Sequence, residues 1–154
     1  MKISKSKHEK LNGRPYHFAI ILSRFNDKLG YELYQNTQAK LVQHGVREKR
    51  IELIRVPGSL EIPLVASLLA KKQRHDVIIA LGVIIKGKTP HWKLVSEQCY
   101  RGLMDTSLFY GVPITFGVLT VENVKQAVER ISKNKLNKGA EYAETAIEMA
   151  MLVS

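Results

Sequence analysis

The sequence predicts an α/β fold, with a mainly parallel four-stranded sheet and helices on both of its faces. Short apolar runs alternate with amphipathic stretches of helical length, and turns marked by Gly or Pro separate most of them. Strands joined by helix-length crossovers pair in parallel, because a hairpin would need only a short connection. The run Val77–Ile85 is apolar throughout apart from Gly82, which is typical of a strand buried on both faces.

The first half of the chain contains two predicted strand–helix pairs. Tyr16–Leu22 is predicted to be a strand, and Asp27–His44 a helix, because leucines recur there at helical spacing before Gly45. Ile51–Val56 is the second predicted strand. The segment Pro57–Ser59 then turns the chain into a helix that we expect to end near Lys71.

The second half repeats this alternation. Val77–Ile85 is the third predicted strand, and a helix follows from about Pro90 to Tyr110. Ile114–Leu119 is the fourth strand. Two further helices, from Glu122 to about Ile131 and from Lys138 to Val153, complete the pattern.

Length and composition fit one globular domain. The 154 residues are 45% hydrophobic and 25% charged, which excludes a disordered chain or a collagen. The only cysteine, Cys99, excludes an intrachain disulfide and a multi-thiolate metal site, and its predicted helical position favours packing over nucleophilic chemistry. No apolar run is long enough to span a bilayer, so we expect a soluble, cytoplasmic protein. Residues 1–14 are predicted to form a basic N-terminal arm and residues 15–154 a single domain.

The net charge of +10 raises the question of a nucleic-acid partner. Residues 1–14 carry five Lys and Arg against one Glu, and no arginine-rich or aromatic-interleaved stretch that could stack bases occurs in the chain. We therefore interpret the charge as a basic arm plus a solvated basic surface, and expect neither a nucleic-acid nor a membrane partner. Binding of anionic small molecules or polyanions is the alternative.

The segment Gly82–Thr89 matches the pattern G-x-x-x-x-G-K-[ST] of a phosphate-binding P-loop. The middle of a P-loop must curl around phosphates, whereas the middle residues here are Val83, Ile84 and Ile85, which favour an extended, buried backbone. No second apolar strand ends in an aspartate that could bind magnesium. A nucleotide-hydrolysing P-loop is therefore kept only as the weakest alternative.

The same segment predicts an anion site of another kind. Thr89 is a suitable N-cap, Pro90 fits the first helical position, and His91 would then be the second helical residue. The N–H groups of Gly87–Thr89 and the helix N-terminus could then bind a phosphate. A histidine beside a bound phosphate is a candidate for proton transfer. The other histidines show no metal-ligand spacing, so no metal site is expected.

Six segments of the chain occur together in a distinctive order and spacing. They are Arg24–Asn26, Val56–Pro63, Ala80–His91, Pro113–Thr120, Asn137–Gly139 and Ala146–Met149. In this order they resemble the 6,7-dimethyl-8-ribityllumazine synthase family, and the resemblance extends from about Phe18 to Leu152.

The resemblance implies a flavodoxin-like three-layer sandwich assembled as pentamers, with active sites between subunits. The final assembly stays open among a free pentamer, a decamer and a closed icosahedral shell. It also implies a transferase of riboflavin biosynthesis, which condenses 5-amino-6-(D-ribitylamino)uracil with L-3,4-dihydroxy-2-butanone 4-phosphate. The product would be 6,7-dimethyl-8-ribityllumazine, with release of phosphate and water. The implied steps need positioning and proton transfer but no cofactor.

The resemblance also implies roles for individual residues. His91 would be the catalytic proton shuttle, and Phe25 would stack on the pyrimidine ring. The other implied substrate-binding residues are Asn26, Ser59, Leu60, Glu61, Val83, Ile84, Lys88, Thr89, Phe116, Arg130 and Lys138. Ser59 and Glu61 would bind the ribityl chain, while Phe116 and Lys138 would act from a neighbouring subunit, with Arg130 as a phosphate partner.

Several positions depart from the residues usual in the family, among them Pro90, which fills a variable position, and Trp92, which replaces a Phe or Tyr. Lys86 replaces an arginine, Lys88 stands where small or acidic residues are common, and Leu60 replaces a common aromatic residue. These departures leave open a non-catalytic paralogue that binds a lumazine or flavin on the same fold.

Overall fold

The central feature of the fold is a four-stranded, wholly parallel sheet. The computed structural model describes residues 10–154. Its strands are β1 (Phe18–Ser23), β2 (Ile51–Val56), β3 (Val77–Ile85) and β4 (Ile114–Val121). They lie in the order β2–β1–β3–β4, and every neighbouring pair is parallel.

Helices cover both faces of this sheet. They are α1 (Asp27–Gln43), α2 (Ile62–Lys72), α3 (His91–Tyr110), α4 (Val124–Ile131) and α5 (Lys138–Val153). One core lies between the sheet and α1, α4 and α5, and a second lies between the sheet and α2 and α3. The predicted flavodoxin-like three-layer fold is therefore confirmed.

Side chains of the strands alternate between the two cores, as the pleat requires. On β3, Val77, Ile79 and Leu81 face the core under α1 and α5. Ile78 and Ala80 face the opposite core. Each fully buried aliphatic side chain contributes about 1.5–3 kcal/mol of transfer free energy. A central strand with two apolar faces therefore anchors both layers of helices.

The strands end at different heights, and this difference makes room for a site. Strand β3 pairs with β1 only over Val77–Leu81, but it pairs with β4 over Ile78–Ile85. The last four residues of β3 therefore have no strand partner on the β1 side. In parallel α/β sheets, ligands bind beyond the carboxyl ends of the strands where such a crevice opens.

Several element boundaries differ from those predicted: β1 begins at Phe18 and not at Tyr16, β4 extends past Leu119 to Val121, and α4 begins at Val124 and not at Glu122. Ser59–Glu61 forms a 3₁₀ turn, so α2 begins only at Ile62. The prediction that Thr89 caps α3 and that Pro90 is its first residue is wrong. Pro90 has a ψ of 3° and is itself the N-cap, because its carbonyl oxygen accepts hydrogen bonds from the N–H groups of Lys93 (3.0 Å) and Leu94 (3.3 Å). His91 is consequently the first helical residue and not the second.

Residues 10–14 are the described part of the expected arm, and they lie against the loop that follows α1. Gly13 is buried and its N–H donates to the carbonyl oxygen of His44 at 2.9 Å, while Leu11 packs against the core. Residues 1–9 lie outside the described residues, so the arm and its boundary at residue 15 stay predictions. Across residues 10–154, no helix combines the length and apolarity needed to cross a membrane.

Helices α1 and α5 approach so closely at Gly139 that a methyl group there should be destabilising. An added Cβ would lie 2.7 Å from the carbonyl oxygen of Leu33 and 3.0 Å from the backbone nitrogen of Thr37. We expect Gly139→Ala to lower the free energy of unfolding by about 1–3 kcal/mol, in the range of overpacked cores. Urea unfolding at a fixed protein concentration measures this change.

Gly30→Ala is the matched control. Its added Cβ would meet its nearest atom, Leu22 Cδ1, at 3.5 Å, which is an ordinary contact. Alanine also favours a helix over glycine by up to about 1 kcal/mol. The control should therefore be neutral or stabilising, and an equal effect of the two substitutions would contradict the close approach at Gly139.

Candidate active site

A cavity of about 400 Å³ opens at the carboxyl ends of β1 and β3, within the size range of small-molecule sites. Four segments form its wall: the turn after β1, the turn after β2, the end of β3 with its loop, and the start of α3. The lining residues are Phe25, Gly58, Ser59, Leu60, Glu61, Ile84, Ile85, Gly87, Thr89, His91, Trp92 and Val95.

Phe25 presents an aromatic face to the cavity, and its side chain is 70% exposed. Two hydrogen bonds hold the turn that carries it. The N–H of Phe25 donates to the hydroxyl of Ser23 at 3.3 Å, and Asn26 Nδ2 donates to the carbonyl oxygen of Val83 at 2.8 Å. Asn26 has a φ of 58°, a left-handed conformation that asparagine tolerates better than most residues. The amide of Asn26 thus ties this turn to β3.

The turn after β2 brings a hydroxyl and a carboxylate to the wall beside Phe25. Ser59 is buried, and its Oγ would lie 3.1 Å from a Cβ added to Gly82, so the glycine leaves room for the hydroxyl. Glu61 is exposed, and Leu60, at 47% exposure, adds an apolar surface between them. The hydroxyl of Ser59 can donate or accept a hydrogen bond, and the carboxylate of Glu61 can accept several, so this part of the cavity can bind a polyhydroxylated chain.

The loop between β3 and α3 and the start of α3 form another part of the cavity wall. Gly87 and Thr89 line the cavity, and His91 starts the 20-residue helix α3. The N–H groups of His91 and Trp92 precede the first intrahelical hydrogen bond, so the positive end of the helix dipole faces the cavity. An exposed histidine at this position can exchange a proton with a bound ligand.

Neither lysine of this loop lines the cavity. Lys88 is exposed. Lys86 directs its ammonium group toward Glu122, with Nζ 3.4 Å from Oε2, and also lies 5.8 Å from the centre of the Trp92 ring. Val83–Ile85 belong to a regular strand that pairs with Leu119–Val121, so the backbone of this segment does not curl as a P-loop must.

Three of the implied substrate-binding residues lie away from the cavity of their own chain. Phe116, Arg130 and Lys138 do not line it. Phe116 stacks on Tyr100 with 5.5 Å between the ring centres, and the hydroxyl of Tyr100 donates to the carbonyl oxygen of Val118 on β4. We call Tyr100, Phe116, Arg130, Lys138 and Tyr142 the β4-edge cluster, because β4 is the last strand of the sheet.

Tyr142 lies near two other members of the β4-edge cluster, Tyr100 and Arg130. Burial raises the pKa of its phenol, nearby Tyr100 and Glu141 raise it further, and Arg130 lowers it. Lys138 lies one helical turn before Tyr142 on α5 and forms an ion pair with Glu141 at 3.0 Å. Arg130 Nη1 donates to the carbonyl oxygen of Gln126 at 3.2 Å. The cluster therefore combines two cations, Arg130 and Lys138, with three aromatic rings.

The cavity gathers seven of the residues predicted from the sequence: Phe25, Ser59, Leu60, Glu61, Ile84, Thr89 and His91. Asn26 and Val83 lie directly behind the wall and bind each other. Gly58, Ile85, Trp92 and Val95 line the cavity without being among the predicted site residues. Helical spacing could have identified Val95, which lies one turn after His91 on α3.

The described residues hold no further centre of metal or thiol chemistry. Within residues 10–154, no group of three or more His, Cys, Asp or Glu side chains could hold a metal ion. Cys99 is fully buried in the core beside α3, and burial raises the pKa of its thiol to about 12. The thiol is therefore protonated and enclosed at neutral pH, in agreement with its predicted packing role.

The fold and the cavity define a flavodoxin-like α/β protein with a cavity of small-molecule size at the carboxyl ends of its strands. Residues 15–154 match the family model described as 6,7-dimethyl-8-ribityllumazine synthase. The chain belongs to this family, whose members are transferases of riboflavin biosynthesis.

Burial of Cys99 predicts slow alkylation of the native protein. At pH 8, the ionised fraction of a thiol with a pKa of about 12 is smaller than that of a free cysteine by a factor of about a thousand or more. The native protein should react with iodoacetamide at least about a thousandfold more slowly than the urea-unfolded chain, and its rate should keep rising above pH 9. Rapid alkylation of the folded protein at pH 8 would contradict the burial.

The same pKa shift predicts a loss of stability at alkaline pH. Because the thiol ionises more readily in the unfolded chain, the free energy of unfolding should fall as pH rises from 9 towards 12.

Proposed function

We propose that this chain condenses 5-amino-6-(D-ribitylamino)uracil with L-3,4-dihydroxy-2-butanone 4-phosphate to form 6,7-dimethyl-8-ribityllumazine, phosphate and water. One observation carries this proposal. A single cavity joins an exposed aromatic ring, a hydroxyl and a carboxylate, and the N-terminus of a long helix with a histidine. These three parts correspond to the pyrimidine ring, the ribityl chain and the phosphate of the two substrates.

Binding of the pyrimidine begins at Phe25. Its free face stacks on the ring, a contact worth about 0.5–1.5 kcal/mol beyond the area buried. Asn26 acts on this step through Phe25, because its amide is bonded to Val83 and holds the turn. Backbone groups of Val83 and Ile84 orient the ring. Ser59 and Glu61 bind the ribityl hydroxyls, with Leu60 packed along the chain.

The phosphate lies against the loop before α3. The N–H groups of Gly87 and Thr89 and the positive end of α3 bind its oxygens, and Lys88 adds charge from outside the cavity. His91 moves protons during imine formation, phosphate elimination and ring closure, since it lies between this loop and the aromatic wall. The remaining acceleration comes from holding both substrates together in one site.

Each complete site includes the β4-edge cluster of a neighbouring subunit. Phe116, Arg130 and Lys138 complete the implied site, yet they do not line the cavity of their own chain. The cavity is open at Phe25, which is largely exposed in the single chain. A ring of subunits would bring the β4-edge cluster of one chain to the cavity of the next, and would add Arg130 to the phosphate site. We propose pentamers, free or within an icosahedral shell, in the cytoplasm.

The reaction itself is the first test. We expect the purified protein to form the lumazine from the two substrates faster than the uncatalysed background, followed by absorbance and fluorescence. His91→Ala should lower kcat about 10²–10⁴-fold, as for a lost general acid–base, with a much smaller change in KM. Unchanged turnover would exclude His91 from the mechanism. Binding of a lumazine or riboflavin without product formation would identify a non-catalytic paralogue.

Shared sites predict complementation between two inactive variants. His91→Ala and Arg130→Ala chains should each be nearly inactive, because each variant lacks one half of every site. In oligomers from co-expressed chains, about one site in four combines an intact His91 with an intact neighbouring Arg130, so about a quarter of wild-type activity should return. Mixing the separately assembled oligomers serves as the control. No recovery on co-expression would mean that the two residues act within one chain.

A further inference from the structure

The segments that precede the strands of a parallel sheet meet at one edge, which here lies opposite the cavity. They comprise residues 10–17, 44–50, 71–76 and 111–113. Direct contacts join the first three. The N–H of Gly13 donates to the carbonyl oxygen of His44 at 2.9 Å. Arg50 Nη1 donates to the carbonyl oxygen of Pro15 at 2.8 Å. The N–H of His17 donates to Asp76 Oδ2 at 2.7 Å. The first three segments therefore form one continuous surface.

This surface carries most of the net charge of the protein. Its segments contain eight Lys and Arg against Glu48 and Asp76, a net charge of +6. The segments that follow the strands (24–27, 57–61, 86–90 and 122–123) contain three cations and three carboxylates, a net charge of zero. We call the eight cations the amino-edge face: Lys10, Arg14, Arg47, Lys49, Arg50, Lys71, Lys72 and Arg74.

Helix dipoles do not account for this arrangement. Lys71 and Lys72 end α2 and would be favoured there by the negative end of the helix. The other six cations lie outside the α-helices. Seven of the eight are exposed, and within residues 10–154 none of the eight forms an ion pair with a carboxylate. Their charge is therefore available to an external partner.

The sequence of residues 1–9, which precedes this surface in the chain, is also basic. Residues 1–9 contain Lys2, Lys5 and Lys7 against Glu9, and they join the fold at Lys10, which belongs to the amino-edge face. Together, residues 1–9 and the surface carry +8 of the total net charge of +10. The sequence alone favoured a solvated basic surface without a nucleic-acid partner. Folding instead gathers the charge on one side of the molecule.

We propose that the amino-edge face binds the phosphate backbone of a nucleic acid without reading its bases. Clustered Lys and Arg bind a polyanion by releasing its condensed counterions. The described segments of this surface contain no exposed Phe, Tyr or Trp, since Tyr16 is half-buried, so the proposed binding depends on charge. The inference is independent of the proposed reaction, because the face lies at the sheet edge opposite the cavity.

The test is binding of a labelled single-stranded RNA of about 20 nucleotides to the full chain, followed by fluorescence anisotropy at several salt concentrations. We expect log K to fall linearly with log salt, with no preference among sequences of equal length. The triple variant K49Q/K71Q/K72Q should make this slope shallower by about 2, since each phosphate contact on a single strand contributes about 0.7. Affinity at low salt should fall about tenfold or more.

The matched control is K28Q/K125Q/K133Q, which removes three exposed lysines from other surfaces. Lumazine formation should be unchanged in both triple variants, which confirms that each is folded and separates this test from that of the reaction. Equal loss of RNA binding in both variants would overturn the proposal, because net charge alone would then explain the binding. The proposal would also be overturned if deletion of residues 1–9 abolished RNA binding while K49Q/K71Q/K72Q had no effect on it. Binding of the protein to anionic vesicles without binding to RNA would overturn the proposal as well.

Discussion

The site depends on the unequal lengths of β1 and β3. Strand β3 is buried on both faces and continues four residues past its pairing with β1, while β4 supports it to the end. The carbonyl oxygen of Val83 thereby remains accessible to the side chain of Asn26, and the turn that carries Phe25 is fastened there. The same four residues of β3 lead directly into the loop before α3. One difference in strand length thus brings the aromatic ring of Phe25 and the start of α3 into the same cavity wall.

Much of this arrangement is predictable from the sequence because it follows from periodicity and chain order. The apolar alternation identifies the strands, and parallel pairing brings the ends of β1, β2 and β3 together, so the cavity residues at those ends are expected neighbours. Helix boundaries are less predictable. Thr89 and Pro90 are both acceptable caps by residue type, and only the positions of the carbonyl oxygens determine that Pro90 performs this role.

Other features require the three-dimensional structure or the family resemblance. In an alternating strand, Phe116 is indistinguishable from a core residue, and Arg130 resembles a solvated helix charge. Tyr100 and Tyr142 come from two helices on opposite faces of the sheet, so no local pattern connects them to β4. The amino-edge face is equally difficult to detect, because its eight cations come from three separate segments that contribute only two or three each.

The position of Trp92 has a practical consequence. It is the only tryptophan of the chain, and it forms part of the cavity wall directly after His91, near the ammonium group of Lys86. The emission of the indole therefore originates at the site alone and is uncontaminated by any second indole elsewhere in the chain. The protein carries a built-in optical reporter, so occupancy of the cavity can be followed without a dye, an added label or turnover.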